Sequence, residues 1–77
     1  MEQKSEEIRL GRYRHQKGAL YEVIAIARHS ETEEEYVVYR SLYGDYSHWV
    51  RPLAMFAERV VVDGVAVRRF AFLGEKD

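Results

Sequence analysis

The sequence predicts a mostly β fold: a small, strongly bent antiparallel sheet that curls into an SH3-like barrel of five or six short strands. Three observations predict it. The chain has only 77 residues, short runs rich in valine, isoleucine and tyrosine recur along it, and turn residues separate these runs. A chain this short protects its exposed strand edges best by closing the sheet on itself.

The N-terminal half contains three predicted strands. Arg12–His15 suits a short strand, and Tyr21–Arg28 and Tyr36–Tyr43 are rich in β-branched and aromatic residues, so they predict an antiparallel hairpin around a polar turn. Both faces of Tyr21–Arg28 are apolar, so simple alternation fails. A long strand bent at the small residues Ala25 and Ala27 explains this pattern.

The C-terminal half begins with a turn at Gly44–Ser47 and a short strand, His48–Pro52, that the proline ends. The segment "LAMFAE" suits one helical turn, because its apolar residues recur at spacings of three and four. Asp63-Gly64 then lies between two valine-rich runs, as a two-residue hairpin turn requires. The last strand continues to Leu73.

These elements predict one domain over residues 11–73, a flexible N-terminal tail at 1–10 and a C-terminal tail at 74–77. There is no cysteine, so no disulfide supports the fold. The first eight residues, "MEQKSEEI", lack the apolar region of a signal peptide. No apolar run approaches the roughly 20 residues that span a bilayer. We therefore expect a cytoplasmic protein with no membrane partner.

The net charge of −1 argues against a general binder of polyanions. The charges are nevertheless uneven. Four glutamates crowd one short segment, and without them the remainder of the chain carries +3. A basic stretch containing no acidic residue lies near the N-terminus. The glutamates are Glu31, Glu33, Glu34 and Glu35, and the basic residues are Arg9, Arg12, Arg14 and Lys17.

The stretch "GRYRHQKGALYEVIAIARHSETEEEYVVYRSLYGDYSHWVRPLAMF", followed by "VDGVAVRRF", resembles the bacterial domain-of-unknown-function family 1653. The resemblance covers residues 11 to 73, and its most specific parts are "YRH", "KG", "LYEV", "ARHSET", "VVYR", "LYGD", "WVRP" and "MF". It implies a small stand-alone β-domain and carries no established activity. One departure concerns the first hairpin turn, where Glu33 stands at a position that members of the family often give to glycine.

Few residues favour catalysis or a cofactor. Neighbouring residues on a strand point to opposite faces, so His29-Ser30 and Ser47-His48 do not predict nucleophile–base pairs. The scattered glycines form no phosphate-binding loop. The histidines lack spacings that place two ligands on one face, although folding could bring His15 near His29. We expect histidines bonded to backbone or water instead, and we predict neither an enzyme nor a cofactor.

The remaining candidate is a binding site of planar and cationic side chains: Arg40, Tyr43, Asp45, Trp49 and Arg51. Aromatic rings stack on bases and also dominate protein interfaces, and arginine binds carboxylates and phosphates. The alternative is structural, since a small core needs its aromatics and Asp45 can shape the turn through backbone hydrogen bonds. Trp49 shares a face with Arg51, which predicts a ring no more than half buried. Arg40 and Arg51 either share one groove or point apart toward partners such as Glu22 and Glu58.

The leading hypothesis for function is therefore a binding module that recognises a protein or peptide partner through these aromatic and arginine residues. Binding of a nucleotide or a single-stranded nucleic acid by the same residues is the first alternative. The second is self-association into a homodimer, in which the edges at Val60–Val62 or Val65–Val67 pair across a two-fold axis.

Overall fold

The chain forms seven strands and one helical turn within residues 8–75, which are the residues that the computed structural model describes. No helix in this part of the chain is long and apolar enough to cross a membrane. The elements, in chain order, are β1 (Gly11–His15), β2 (Leu20–Arg28), β3 (Glu35–Ser41), β4 (His48–Pro52), α1 (Leu53–Phe56), β5 (Arg59–Val62), β6 (Val65–Arg68) and β7 (Phe70–Gly74).

Five of the strands form one antiparallel sheet in the order β4-β3-β2-β1-β7, and β5 and β6 form a separate two-stranded sheet. The predicted class, a mostly β fold with a strongly bent antiparallel sheet and one helical turn, is confirmed. The barrel itself needs a correction, since the edge strands β4 and β7 do not pair with each other. The valine-rich strands that we expected to extend the barrel pair only with each other among the described strands.

The bend in the large sheet comes from irregular pairing at two positions. The register of β2 against β3 shifts between Val23 and Ala25, which leaves Ile24 as an extra residue. A second shift, between Arg12 and Tyr13, lies where β1 pairs with β7. A bulge bends its strand and increases the local twist. The predicted bend in the second strand is thus confirmed, and an inserted residue produces it.

The core fills the concave face of this sheet, where an aromatic group dominates. Phe56, the buried residue of α1, lies among Tyr13, Tyr39 and Phe70, with ring centroids 4.1 to 5.4 Å apart. Val23 and Val37 complete the strand contribution. The helical turn therefore places one phenyl ring on the open sheet, and aromatic pairs hold it there.

The folded part extends past both predicted domain boundaries. Ile8 is only 7% exposed and belongs to the core. The backbone N–H of Arg9 donates to the Tyr13 hydroxyl, which in turn donates to the Arg9 carbonyl, each at 2.9 Å. At the other end, Gly74 belongs to β7 and pairs with Arg12. The rest of the predicted tails, residues 1–7 and 76–77, lies outside the described residues.

The turns between β2 and β3, between β3 and β4, and between β5 and β6 contain residues in left-handed backbone conformations. Asp63 (φ 52°) and Gly64 (φ 79°) join β5 to β6, which confirms the predicted two-residue hairpin. In the turn between β2 and β3, Glu33 adopts φ 66°. That conformation suits glycine better than glutamate, because glycine has no Cβ.

Candidate functional site

The predicted site residues of β3 and β4 lie on opposite faces of the sheet. Tyr39 pairs with Trp49 and Val37 pairs with Arg51, so Trp49 and Arg51 lie on the inner face, which carries the core. Arg40 pairs with His48 and lies on the outer face. Arg40 and Arg51 therefore share no groove, because adjacent register positions project to opposite sides of a sheet.

Three tyrosines line the inner face beside Arg51. The Tyr21 and Tyr43 hydroxyls are 3.0 Å apart and share a hydrogen bond, and the Tyr21 ring makes edge contacts with Tyr39 and Phe70. This hydrogen bond, with burial second, raises the pKa of Tyr21 to about 12. One of the two hydroxyls donates this bond to the other, and the geometry suits either direction.

Trp49 presents a large exposed ring on the same face. Its side chain is 51% exposed, as expected from the pattern of β4, and its Nε1 donates to the Ser41 hydroxyl at 3.0 Å. This bond occupies the polar edge of the indole and fixes its orientation. The ring face is thus held in place for an apolar or planar group to pack against.

Arg51 is half buried and positioned by aromatic neighbours. Its Nε donates to the Tyr39 hydroxyl at 3.4 Å, and its guanidinium carbon lies 5.7 Å from the centre of the Phe70 ring. Among residues 8–75, no carboxylate lies within 4 Å of this guanidinium. We call Tyr21, Tyr43, Trp49 and Arg51 the aromatic–arginine surface.

The two other predicted residues lie elsewhere. Arg40 forms an ion pair with Glu22 at 3.2 Å, the cross-strand partner that sequence reasoning offered, and its guanidinium lies 5.8 Å from the Tyr46 ring. Asp45 shapes its turn, as the structural alternative predicted. Its carboxylate accepts bonds from the Ser47 N–H and hydroxyl at 3.2 and 2.5 Å, and the hydroxyl bond is the main cause of its lowered pKa.

His15 lies at the border of this region, and its ring packs edge-on against Phe70 at 5.0 Å. Burial is the main cause of its lowered pKa, and the positive charges of Arg69, Lys17 and Arg51 lower it further. Its Nδ1 accepts a bond from the Lys17 N–H. The imidazole is therefore neutral at neutral pH, and it experiences the field of several cations.

The structure brings no metal-binding group together in the described chain: residues 8–75 contain no cluster of three or more His, Asp or Glu side chains that could hold an ion. His29 Nδ1 instead accepts backbone bonds from Glu31 and Thr32. A surface concavity of about 540 Å³ lies away from the aromatic–arginine surface and shares no residue with it. Leu10, Gly11, Glu22, Val23, Ile24 and Glu75 line it.

Sequence reasoning missed Tyr21, Tyr39, His15 and Phe70 as neighbours of Arg51. Tyr21 and Phe70 are 49 positions apart in the sequence, and only the pairing of β1 with both β2 and β7 brings them together. Tyr39 lies in the core, but its hydroxyl still reaches Arg51. The sequence did contain one signal: Tyr21 is two residues from Val23 in the same strand, so the two side chains share the core face.

Comparisons with known proteins agree on one family. No protein with a curated description matches the chain. A crystal structure of a DUF1653 protein from Bordetella bronchiseptica is similar to it, with 36% sequence identity and a TM-score of 0.80, covering 92% of this chain and 94% of the other. Residues 11–72 match the family described as "Protein of unknown function (DUF1653)". The chain therefore belongs to the DUF1653 family.

Proposed function

We propose that this protein is a non-catalytic binding module that takes a segment of a partner protein on the aromatic–arginine surface. The observation that carries the proposal is the contrast on the inner face of the sheet. Tyr13, Tyr39, Phe56 and Phe70 are buried there, whereas Trp49 and Tyr43 remain about half exposed. The half-buried Arg51 lies on the same face as Trp49. Tryptophan, tyrosine and arginine are the residues most enriched at the centres of protein interfaces.

The distribution of cations favours a protein segment over a nucleic acid. A nucleic-acid strand presents a phosphate at every nucleotide, so its binding surface needs several available cations along one groove. Of the half-buried arginines in or near the sheet, Arg40 and Arg69 already form ion pairs with glutamates, and Arg68 also has an interaction partner. Arg51 alone does not meet the requirement for a row of cations.

The non-catalytic assignment rests on how the polar groups are used. His15 and His29 accept backbone hydrogen bonds through Nδ1, and Asp45 holds its own turn. Nucleophilic or acid–base catalysis requires an oriented base beside the reacting group. The polar groups on these three side chains serve local structure instead.

A peptide-display selection against the immobilised domain tests the proposal. We expect Trp49→Ala to weaken binding of the selected peptides by about tenfold or more, because the ring supplies the central apolar contact. Val50→Ala is the matched control, since Val50 is exposed on the opposite face of the same strand. The affinity of this variant for the selected peptides should stay within about twofold of the wild-type value. Trp49→Ala should lower the free energy of unfolding by only about 1 kcal/mol.

Two outcomes would contradict this function. One is a peptide affinity that Trp49→Ala leaves unchanged. The other is tight binding of single-stranded oligonucleotides whose affinity falls steeply with added salt, which is the behaviour of a nucleic-acid surface. Isothermal titration calorimetry of both ligand types at two salt concentrations makes the comparison.

Self-association is the second candidate function, favoured by the hairpin of β5 and β6. Val61 and Val65 are 73% and 59% exposed, and neither strand contains the lysine or proline that commonly protects an edge. We expect sedimentation at increasing concentration to show a dimer that Val61→Lys shifts toward monomer. A wild-type protein that stays monomeric at millimolar concentration would rule this candidate out.

A further inference from the structure

We infer that Arg51 anchors a carboxylate-binding subsite within the aromatic–arginine surface, and that the partner segment supplies an aspartate, a glutamate or a free C-terminal carboxylate to it. The inference rests on the proposed function and specifies the chemistry of the partner. The fold holds Arg40, Arg51 and Arg69 in similar, partly buried positions.

Arg51 differs from Arg40 and Arg69. Arg40 lies 3.2 Å from the Glu22 carboxylate, and Arg69 lies 2.9 Å from that of Glu58. Arg51 has a tyrosine hydroxyl and a phenyl ring as neighbours, and no carboxylate of residues 8–75 within ion-pair distance. Removing a charged group from water is costly unless a counter-charge compensates it. Arg51 is thus a partly desolvated cation without a carboxylate partner in the described part of the chain, and its natural complement is an anion.

The geometry around Arg51 also provides orientation. The bond from Nε to the Tyr39 hydroxyl holds the guanidinium in place. Its two terminal nitrogens make no hydrogen bond within the described chain and are available to a ligand. Those two nitrogens can bind both oxygens of one carboxylate. Trp49 lies two residues earlier on the same face, where its Nε1 bonds to Ser41 and its ring is about half exposed. A carboxylate at Arg51 and an apolar side chain on Trp49 would thus suit neighbouring positions of one peptide segment.

The charge nearby favours a carboxylate over a phosphate dianion. His15 is neutral at neutral pH, and Arg69 is already paired with Glu58, whose negative charge would oppose a second anion. The Arg69 Nε is also buried, so a ligand has no access to it. One uncompensated, half-buried guanidinium matches one negative charge.

The test is a double-mutant cycle on the peptides selected by display against the full chain. Replacing the acidic residue of a peptide by its amide, or amidating the C-terminus, is expected to weaken binding to the wild-type protein by about tenfold. The same change should alter binding to Arg51→Gln by less than about twofold, because the charge that it would meet is gone. The two peptide changes distinguish a side-chain carboxylate from a terminal one. Arg40→Gln is the matched control and should keep the tenfold difference.

A second readout needs no protein variant. A carboxylate bound at Arg51 offsets one of the positive charges that lower the His15 pKa, so NMR titration of the imidazole should show that pKa rising in the complex. The amide form of the peptide should leave it unchanged. Selected peptides without an acidic group, or an equal loss of affinity for wild type and Arg51→Gln, would overturn the inference while leaving a Trp49-dependent binding module intact. Peptide binding independent of Trp49 would overturn the proposed function itself.

Discussion

Replacing Phe70 with alanine is expected to lower the free energy of unfolding by about 3–5 kcal/mol. Phe70 is 2% exposed and stacks on Phe56 with ring centroids 4.1 Å apart and planes 7° from parallel. Its ring also touches Tyr21, Tyr39 and His15. Folded domains are stable by only about 5–15 kcal/mol, and short chains lie toward the low end. The variant should therefore unfold in large part at modest temperature.

Urea unfolding followed by tryptophan fluorescence measures this loss, with two controls. Phe70→Leu keeps most of the apolar volume and should cost about 1.5 kcal/mol or less. Val50→Ala removes an exposed side chain and should cost about 0.5 kcal/mol or less. A Phe70→Ala loss no greater than that of Phe70→Leu would show that this ring is not central to the core.

Gly11→Ala is expected to destabilise the fold by about 3 kcal/mol or more, because two effects combine at this position. Gly11 has φ 140°, a conformation that residues with a side chain rarely adopt. A Cβ there would also lie 2.5 Å from the Gly74 carbonyl oxygen and 2.9 Å from the Glu75 Cα. Both contacts are with backbone, so relief requires β1 to move away from the end of β7.

Gly18→Ala is the matched control for Gly11→Ala. Gly18 also has a positive φ, 111°, but a Cβ there would meet nothing within 4 Å. Its substitution should cost about 1–2 kcal/mol from the backbone alone. Thermal melts of the two variants then isolate the cost of the clash with β7. Equal losses of stability in the two variants would indicate that β1 can move away from β7 at little energetic cost.

The elements of the fold were largely predictable because each has a local cause. Asp63-Gly64 sets its hairpin through backbone angles that few other dipeptides adopt, and Pro52 ends its strand. The apolar character of both faces of Tyr21–Arg28 indicated a bent strand, and a bulge near Ala25 provides the bend. These features involve only residues close together in sequence.

Closure of the sheet was not predictable in the same way. Whether β4 meets β7 depends on how far each bulge turns the sheet and on what fills its concave side. Phe56 and its aromatic neighbours fill that side. The hairpin of β5 and β6 forms its own sheet, so the strand runs that suggested a closed barrel did not build one.

For the candidate site, strand alternation placed Trp49 and Arg51 on one face and correctly indicated a half-exposed ring. Alternation alone could not show whether Arg40 shares a face with Trp49 and Arg51, because that depends on the register between β3 and β4. That register opposes Arg40 to His48 on the outer face, and the β2–β3 register pairs Arg40 with Glu22. A shift of one residue would have reversed this result.

The sequence by itself determined the family, the β class, the turns and the residue types available for binding. Only the tertiary structure decided which of those residues meet: it joined Tyr21, Tyr39 and Phe70 to Arg51 and assigned acidic partners to Arg40 and Arg69. The physical reason is that backbone propensity and alternation act over a few residues. Strand pairing and the compensation of partly buried charge instead depend on contacts between distant segments.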